Sequence, residues 1–144
     1  MNETIHSFMW KRIQQDNEIR NTAAKKSCEM GNPHGQYQMA TRYRHGWGVE
    51  INCDKSIELY KKAAENGHAG ACYELARLYL QGNVVMGFGQ DVSKAKLYAN
   101  LGTDAAEEKY SCEGYDQKHY INESQKLFVL INNIFPPMSS SYKI

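Results

Sequence analysis

The fold of this 144-residue chain is decided by two neighbouring stretches, QYQMATRYRHGWGV at 36–49 and KSIELYKKAAENGH at 55–68. In the first, Tyr37, Ala40 and Tyr43 recur every three residues, which is the spacing of one face of a helix. The second carries apolar and alanine residues at similar helical intervals, and a short glycine-containing segment separates the two. Together they predict a pair of antiparallel helices.

Signals for the start and end of each helix agree with this pattern. Pro33 suits a first turn, Asn32 before it is a favourable N-cap, and Gly46 readily takes the left-handed conformation that ends a helix. We therefore predict a first helix over 33–45. The second helix is expected to begin at residue 53 or 54 and to close at the Asn-Gly pair that follows Glu65.

The same pattern recurs further along the chain. At a separation of 36 residues, tyrosines align with tyrosines, alanine with alanine and glycine with glycine. The aligned pairs are Tyr37 with Tyr73, Ala40 with Ala76, Tyr43 with Tyr79 and Gly46 with Gly82. Past an insertion within 83–91, the second helix resumes its match. A period of this length is typical of stacked repeat units, here 33–68 and 69–103.

Flanking segments are predicted to cap the repeats. Residues 16–31 match the second helix of a preceding unit, whose first helix would span 4–14, and we interpret them as an N-terminal cap. Residues 120–134 place apolar side chains on one face of a C-terminal capping helix, namely Ile121, Phe128 and Ile131 with Leu127, Leu130 and Ile134. We expect one domain over 1–137 and a disordered serine-rich tail at 138–144.

Composition narrows the classes of function. Seventeen basic residues against sixteen acidic ones give a net charge of +1, which disfavours nucleic-acid and membrane partners. No run of apolar residues is long enough to span a membrane, and the first fifteen residues do not resemble a secretory signal, so we expect a cytoplasmic protein. The four cysteines lack metal-ligand spacing and are interpreted as free thiols.

These residues resemble the Sel-one-like repeat, a subclass of the tetratricopeptide-like helical repeats with the pattern A-x-Y-x-L-G-x-x-Y-x-x-G-x-G-V, then K-A-x-x-W-Y-x-x-A-A-x-x-G-H. Ala40 stands where the family usually has glycine, and Leu59 where it has tryptophan. The second unit departs further, because Gly82 opens no Gly-x-Gly turn and Gly102-Thr103 replaces the alanine pair. The resemblance covers half to two-thirds of the chain.

The resemblance implies an all-α fold, an α/α superhelix of antiparallel helix pairs. It also implies a right-handed stack whose first helices line a concave surface that grips another protein. The partner itself does not follow from the resemblance.

Residues on those first helices that the packing pattern does not use are the candidate contacts. Gln38, Arg42 and His45 form one stripe at intervals of four and three, and their equivalents are Glu74, Leu78 and Gln81. We rank Arg42 as the best anchor, since its planar fork can hold a carboxylate, and Leu78 as the second. The remaining candidates lie beside these stripes or in the loops after them: Thr41, Trp47, Arg77, Met86 and Phe88.

No catalytic motif is recognisable, and no cofactor or metal is predicted. Our main hypothesis is a non-catalytic module that binds one protein partner through its concave surface, as a monomer or weak dimer. Its small size suggests an immunity-type inhibitor of a bacterial toxin or effector. The alternatives are an adaptor or scaffold in bacterial signalling or envelope assembly, and an enzyme with an unrecognised site at His45 or His68.

Overall fold

The computed structural model of the protein describes residues 4–82, 89–107, 109 and 115–136. Within these residues the chain forms six α-helices, which are numbered in order. They are α1 (Ile5–Glu29), α2 (Pro33–His45), α3 (Cys53–Glu65), α4 (Ala69–Gln81), α5 (Val92–Thr103) and α6 (Gln117–Ile134).

Two antiparallel helix pairs form the centre of the structure. The first pair is α2 with α3 and the second is α4 with α5, and α3 packs against α4 to join them. At the two ends, α1 packs on α2, while α6 packs on both α4 and α5. The predicted all-α solenoid with a capping helix at either end is confirmed.

Side-chain caps fix where the helices begin. Asn32 accepts a hydrogen bond from the backbone N–H of His34 at 2.9 Å, and Asn52 accepts one from Lys55 at 3.0 Å. His68 and Asp91 occupy the equivalent positions in the second pair, where they cap α4 and α5. Each cap satisfies an N–H that the helix leaves without a partner. The predicted start at residue 33 is confirmed, and of the two predicted starts of the next helix, 53 and 54, the structure has the first.

The core is built from small residues packed around a few large ones. Fully buried alanines include Ala40, Ala63 and Ala64, which allow the helix axes to approach closely, and Tyr60 and Leu75 fill the space between them. Buried polar side chains also connect the helices. For example, the buried hydroxyl of Ser56 donates to the carbonyl of Ala40 at 2.7 Å and ties α3 to α2.

The N-terminal cap differs from the prediction of two helices. Residues 4–14 and 16–31 do not fold into a hairpin, because one continuous helix of 25 residues, α1, covers both. No glycine or proline interrupts the sequence within α1, so nothing in it ends the helix between Gln14 and Asp16. The part of α1 that packs is near Ala24, whereas the apolar side chains of its first half, such as Phe8, are exposed.

The C-terminal helix starts at Gln117, three residues before the predicted start, because Asp116 caps it. Its buried face is centred on Ser124, between Ile121 and Ile131, and Leu130 and Ile134 are exposed. The prediction of a single apolar face including Leu130 and Ile134 was therefore wrong. A small polar residue, which apolar periodicity ignores, marks the true packing stripe.

Glycine at position 102 explains how α6 approaches so closely. A Cβ atom there would lie 2.9 Å from the Cβ of Ser124 and 3.1 Å from the Cβ of Cys72. The loss of the alanine pair in the second unit thus makes room for the capping helix. Cys28 and Cys72 are free thiols, and the predicted tail at 138–144 lies outside the described residues.

Candidate partner-binding surface

A groove of about 240 Å³ lies between the first helices of the two pairs, and we call it the α2–α4 groove. It runs between α2 and α4, the first helices of the two pairs, on which the family resemblance implies a concave binding surface. Most of its lining is polar or aromatic. The lining residues are Tyr37, Thr41, Arg44, His45, Tyr60, Glu74 and Arg77.

Charges of both signs meet on this groove at Glu74. Its carboxylate accepts a hydrogen bond from the Arg44 guanidinium at 2.9 Å, and Arg77, one turn along α4, approaches it at 3.8 Å. Arg44 and Glu74 are both largely buried at their side chains, so solvent screens their interaction less than a surface ion pair. The Arg44–Glu74 pair bridges the two repeat units, and Arg77 presents a more exposed cation beside it.

Tyrosines form the base of the groove. The hydroxyls of Tyr60 and Thr41 are hydrogen-bonded at 2.9 Å, which connects α3 to α2. Burial raises the pKa of Tyr60, and burial together with the neighbouring Tyr120 raises that of Tyr37, so both phenols stay neutral at ordinary pH. The groove therefore offers hydroxyls and aromatic edges between charged groups, a combination common in protein interfaces.

Several of the predicted contact residues do converge on this groove. Thr41 and His45 reach it from α2, and Glu74 and Arg77 reach it from α4. Gln38 and Gln81 are exposed on the same two helices but do not line it. Met86 and Phe88 lie outside the described residues.

Leu78 is not a contact residue, and its ranking as the second anchor was wrong. Its side chain is only 3% exposed and belongs to the core cluster with Leu75 and Tyr79. The equivalent residue in the first repeat, Arg42, lines a cleft between α1 and α2. Leu78 instead lies in the core between the helices, where burial favours an apolar side chain.

Arg42 and Trp47 are placed on a different surface from the other candidates. They line a second cleft, of about 560 Å³, which also includes Asn17 and Arg20 of α1. The two predicted stripes therefore do not form one continuous surface: His45 and Glu74 line the α2–α4 groove, and Arg42 lines this α1–α2 cleft.

Sequence reasoning missed Tyr37, which the repeat pattern assigned to packing, and also Arg44 and Tyr60. A usable signal existed for Arg44, because it follows Tyr37 by seven residues and Thr41 by three, which places all three on one helix face. The competing stripe of Gln38, Arg42 and His45 has the same spacing, so periodicity alone could not choose between them. For Tyr60 no such signal existed, since it reaches the groove from the second helix of the pair.

The two histidines of the enzyme alternative have distinct surroundings. His45 is exposed and stacks on Trp47, with ring centroids 4.5 Å apart. His68 is fully buried, and its Nδ1 atom accepts the backbone N–H of Ala71 at 3.1 Å as the cap of α4. Among the described residues, no three His, Cys, Asp or Glu side chains are grouped so that they could hold a metal ion.

Stacked helix pairs with a polar groove along their first helices define a helical repeat protein. The comparison with protein families specifies the class further, because the Sel1 repeat matches at residues 33–68 and 69–105, which is half of the chain. The chain therefore belongs to the Sel1 repeat family. Sel1 repeats indicate a protein-interaction module.

Two similar curated proteins come from fission yeast, Schizosaccharomyces pombe (strain 972 / ATCC 24843). The chain is 29% identical to chitin synthase regulatory factor 2 over 92 residues, which are 64% of this chain and 18% of that protein. It is 37% identical to chitin synthase regulatory factor 3 over 65 residues, 45% of this chain and 6% of that protein. The chain thus spans less than a fifth of either relative.

These relatives are named as regulatory factors, and they lend no support to the hypothesis of a bacterial toxin inhibitor. In the part of the chain that the structure describes, no helix is both long and apolar enough to cross a membrane.

Proposed function

We propose that this protein is a non-catalytic regulatory module that binds one protein partner through the α2–α4 groove. The observation that carries this proposal is the placement of Thr41, Arg44, Glu74 and Arg77 along one groove between the first helices of the two repeats. Repeat proteins of this architecture use such surfaces because each unit adds a few side chains to one continuous site.

The charges of the groove indicate what kind of segment it accepts. Glu74 is already engaged by Arg44 at 2.9 Å, whereas Arg77, at 3.8 Å and nearly half exposed, keeps donors for a further acceptor. An acidic side chain of the partner would fit next to Arg77, with the tyrosines providing aromatic contact area. Regulation through binding is favoured over toxin inhibition because both relatives are named regulatory factors.

We do not propose chitin synthase as the partner of this protein, because the matched segment is a small fraction of each relative. The adaptor alternative of the sequence analysis differs in predicting several weak partners in place of one. An inhibitor would silence the partner's activity, which binding alone does not require. These versions differ in stoichiometry and in effect, and both can be measured.

The test is a photo-crosslinking experiment in cells with a matched pair of variants. A crosslinking amino acid at Gln81, which is exposed on α4 one helical turn beyond the groove residue Arg77, captures a partner bound along this face. Arg77→Ala should abolish the capture. Lys62→Ala is the control, because Lys62 is a similarly exposed cation in an ion pair with Glu58 of its own helix, away from the groove.

One crosslinked protein in stoichiometric amount, lost in Arg77→Ala and kept in Lys62→Ala, is the expected result. Equal capture by both variants would show that the groove is not the binding surface. Several weak crosslinks of comparable intensity would favour the adaptor alternative.

A further inference from the structure

The α1–α2 cleft has a composition that the protein-binding groove does not explain. Arg20 from α1 and Arg42 from α2 line it together with Asn17 and Trp47, and the glycines of the turn after α2 complete the lining. None of the lining residues is acidic. With about 560 Å³, the cleft has more than twice the volume of the α2–α4 groove.

Among the residues that the structure describes, the two arginines of this cleft have no carboxylate partner. Over residues 4–82, 89–107, 109 and 115–136, no Asp or Glu oxygen lies within 4 Å of either guanidinium. Arg44 and Arg77, by contrast, share Glu74. Within the described part of the chain, no carboxylate therefore neutralises the cationic pair in the cleft.

Holding these cations together has an energetic cost. Partial burial lowers the pKa of Arg42, and the positive charge of Arg20 lowers it further. Two like charges on neighbouring helices repel each other, and removing one of them from solvent weakens the hydration that would otherwise screen the repulsion. An anion between the two guanidinium groups would reverse both effects.

The other groups of the cleft suit an anion that is carried on a larger molecule. The side-chain amide of Asn17 adds an uncharged donor beside the arginines. Trp47 is 57% exposed and held by its stacking on His45, so one side of its ring remains available. Planar guanidinium forks match carboxylate and phosphate oxygens in bidentate geometry.

We propose that the α1–α2 cleft is a binding site for an oxyanion, a carboxylate or phosphate group, which Arg20 and Arg42 clamp while Trp47 packs on the group that carries it. The cleft shares no lining residue with the α2–α4 groove, and this proposal does not depend on the proposed function of that groove. Carboxylate and phosphate share the required chemistry, and the experiment distinguishes them.

The test measures tryptophan fluorescence. The chain has two tryptophans, so Trp10→Phe, at an exposed position of α1, leaves Trp47 as the reporter. The probes are inorganic phosphate, a phosphoserine tripeptide and a glutamate tripeptide, titrated at constant ionic strength because exposed charges are screened by salt. We expect a saturable change with a Kd of about 1 mM or below for at least one probe, the affinity of a small charged ligand.

Variants in the same background assign the site. Arg20→Gln and Arg42→Gln should each weaken binding by about tenfold or more, corresponding to one or two charge-assisted hydrogen bonds. Arg12→Gln is the matched control, because it removes the same charge from the same helix at a residue that lines a different surface depression. Circular dichroism of each variant verifies the fold.

Tighter binding of the phosphorylated probes would assign the ligand as a phosphate group, and tighter binding of the glutamate peptide would assign it as a carboxylate. A linear, unsaturated response of every probe up to roughly 50 mM, far weaker than a specific site, would overturn the proposal. So would equal weakening by Arg12→Gln and Arg42→Gln, which would show general screening of charge.

Discussion

Lowering the pH should destabilise this protein through His68. The imidazole is fully buried at the junction of α2 and α4, where it stacks on Tyr37 and Tyr115 with ring centroids 4.5 Å apart. Its Nδ1 atom accepts the N–H of Ala71, so the neutral ring carries its proton on Nε2, which lies 3.0 Å from Nδ1 of His34. A second proton would have to displace the cap of α4.

Burial, with a smaller contribution from His34, lowers the pKa of His68 to about 3. In the unfolded chain the group has its ordinary pKa, near 6.5. Between these two values the unfolded state binds a proton that the folded state does not, so the free energy of unfolding falls as the pH decreases. The stabilisation is complete above pH 6.5 and is progressively lost down to about pH 3.

The size of the effect follows from linkage. One proton taken up only on unfolding changes the free energy of unfolding by about 1.4 kcal/mol per pH unit within this window. Most of the interval from pH 7 to pH 5 lies below the ordinary histidine pKa, so the free energy of unfolding should fall by about 2 kcal/mol through His68 over this interval. That is a large fraction of the stability of a small domain, which is about 5–15 kcal/mol.

The assay is urea unfolding followed by circular dichroism at pH 7, 6 and 5, with His68→Asn as the comparison. Asparagine caps α2 at the equivalent position, Asn32, so the variant keeps a capping group and removes the titration. The variant will be less stable than the wild type because stacking is lost. Between pH 7 and pH 5, however, its free energy of unfolding should fall by about 2 kcal/mol less than that of the wild type. Burial also lowers the pKa of His34, which leaves a residual slope of the same sign.

Parallel pH dependences in the wild type and His68→Asn would refute this reasoning, because the carboxylates and the remaining histidines are common to both proteins. A wild type whose stability does not change between pH 7 and pH 5 would refute it as well.

Two further predictions concern packing. Gly102→Ala should destabilise the protein by about 1–3 kcal/mol, because the new Cβ would be too close to Ser124 and Cys72. This loss is expected although alanine has the higher helix propensity. An unchanged or higher midpoint of urea unfolding would contradict the close approach of α6. Leu78→Ala should cost about 2–5 kcal/mol, because it leaves a cavity in the core. A decrease of less than about 1 kcal/mol in the free energy of unfolding, as is typical of substitutions at the surface, would contradict the burial of Leu78.

Local signals determined the central helices. Asn32 and Pro33 at the start of α2 and Gly46 at its end act within one or two turns, so their positions in the sequence predict the helix bounds directly. The recurrence of tyrosine, alanine and glycine at 36 residues then predicts a stack of like pairs, because identical faces pack in identical ways. Fold class and family followed from these features, as the Sel1 match confirms.

The ends of the stack were less predictable because they lack a repeat neighbour. In α1, the only signal in the sequence that favours one long helix over a helical hairpin is the absence of glycine and proline. The predicted hairpin was wrong because a hairpin needs a turn, and no residue there breaks the helix. For α6, the buried face is the one that approaches Gly102 of α5. Ser124 lies at the centre of this face, and as a polar residue it does not contribute to an apolar pattern in the sequence.

The candidate binding residues show the division most clearly. The sequence by itself determined that α2 and α4 carry equivalent positions, and it selected four of the seven residues of the α2–α4 groove. Only the tertiary structure decided that Arg42 faces Arg20 across the α1–α2 cleft while Leu78, its equivalent, is buried. The physical reason is that helical periodicity fixes which side chains share a face, whereas the neighbouring helices decide whether that face meets solvent, a partner or the core.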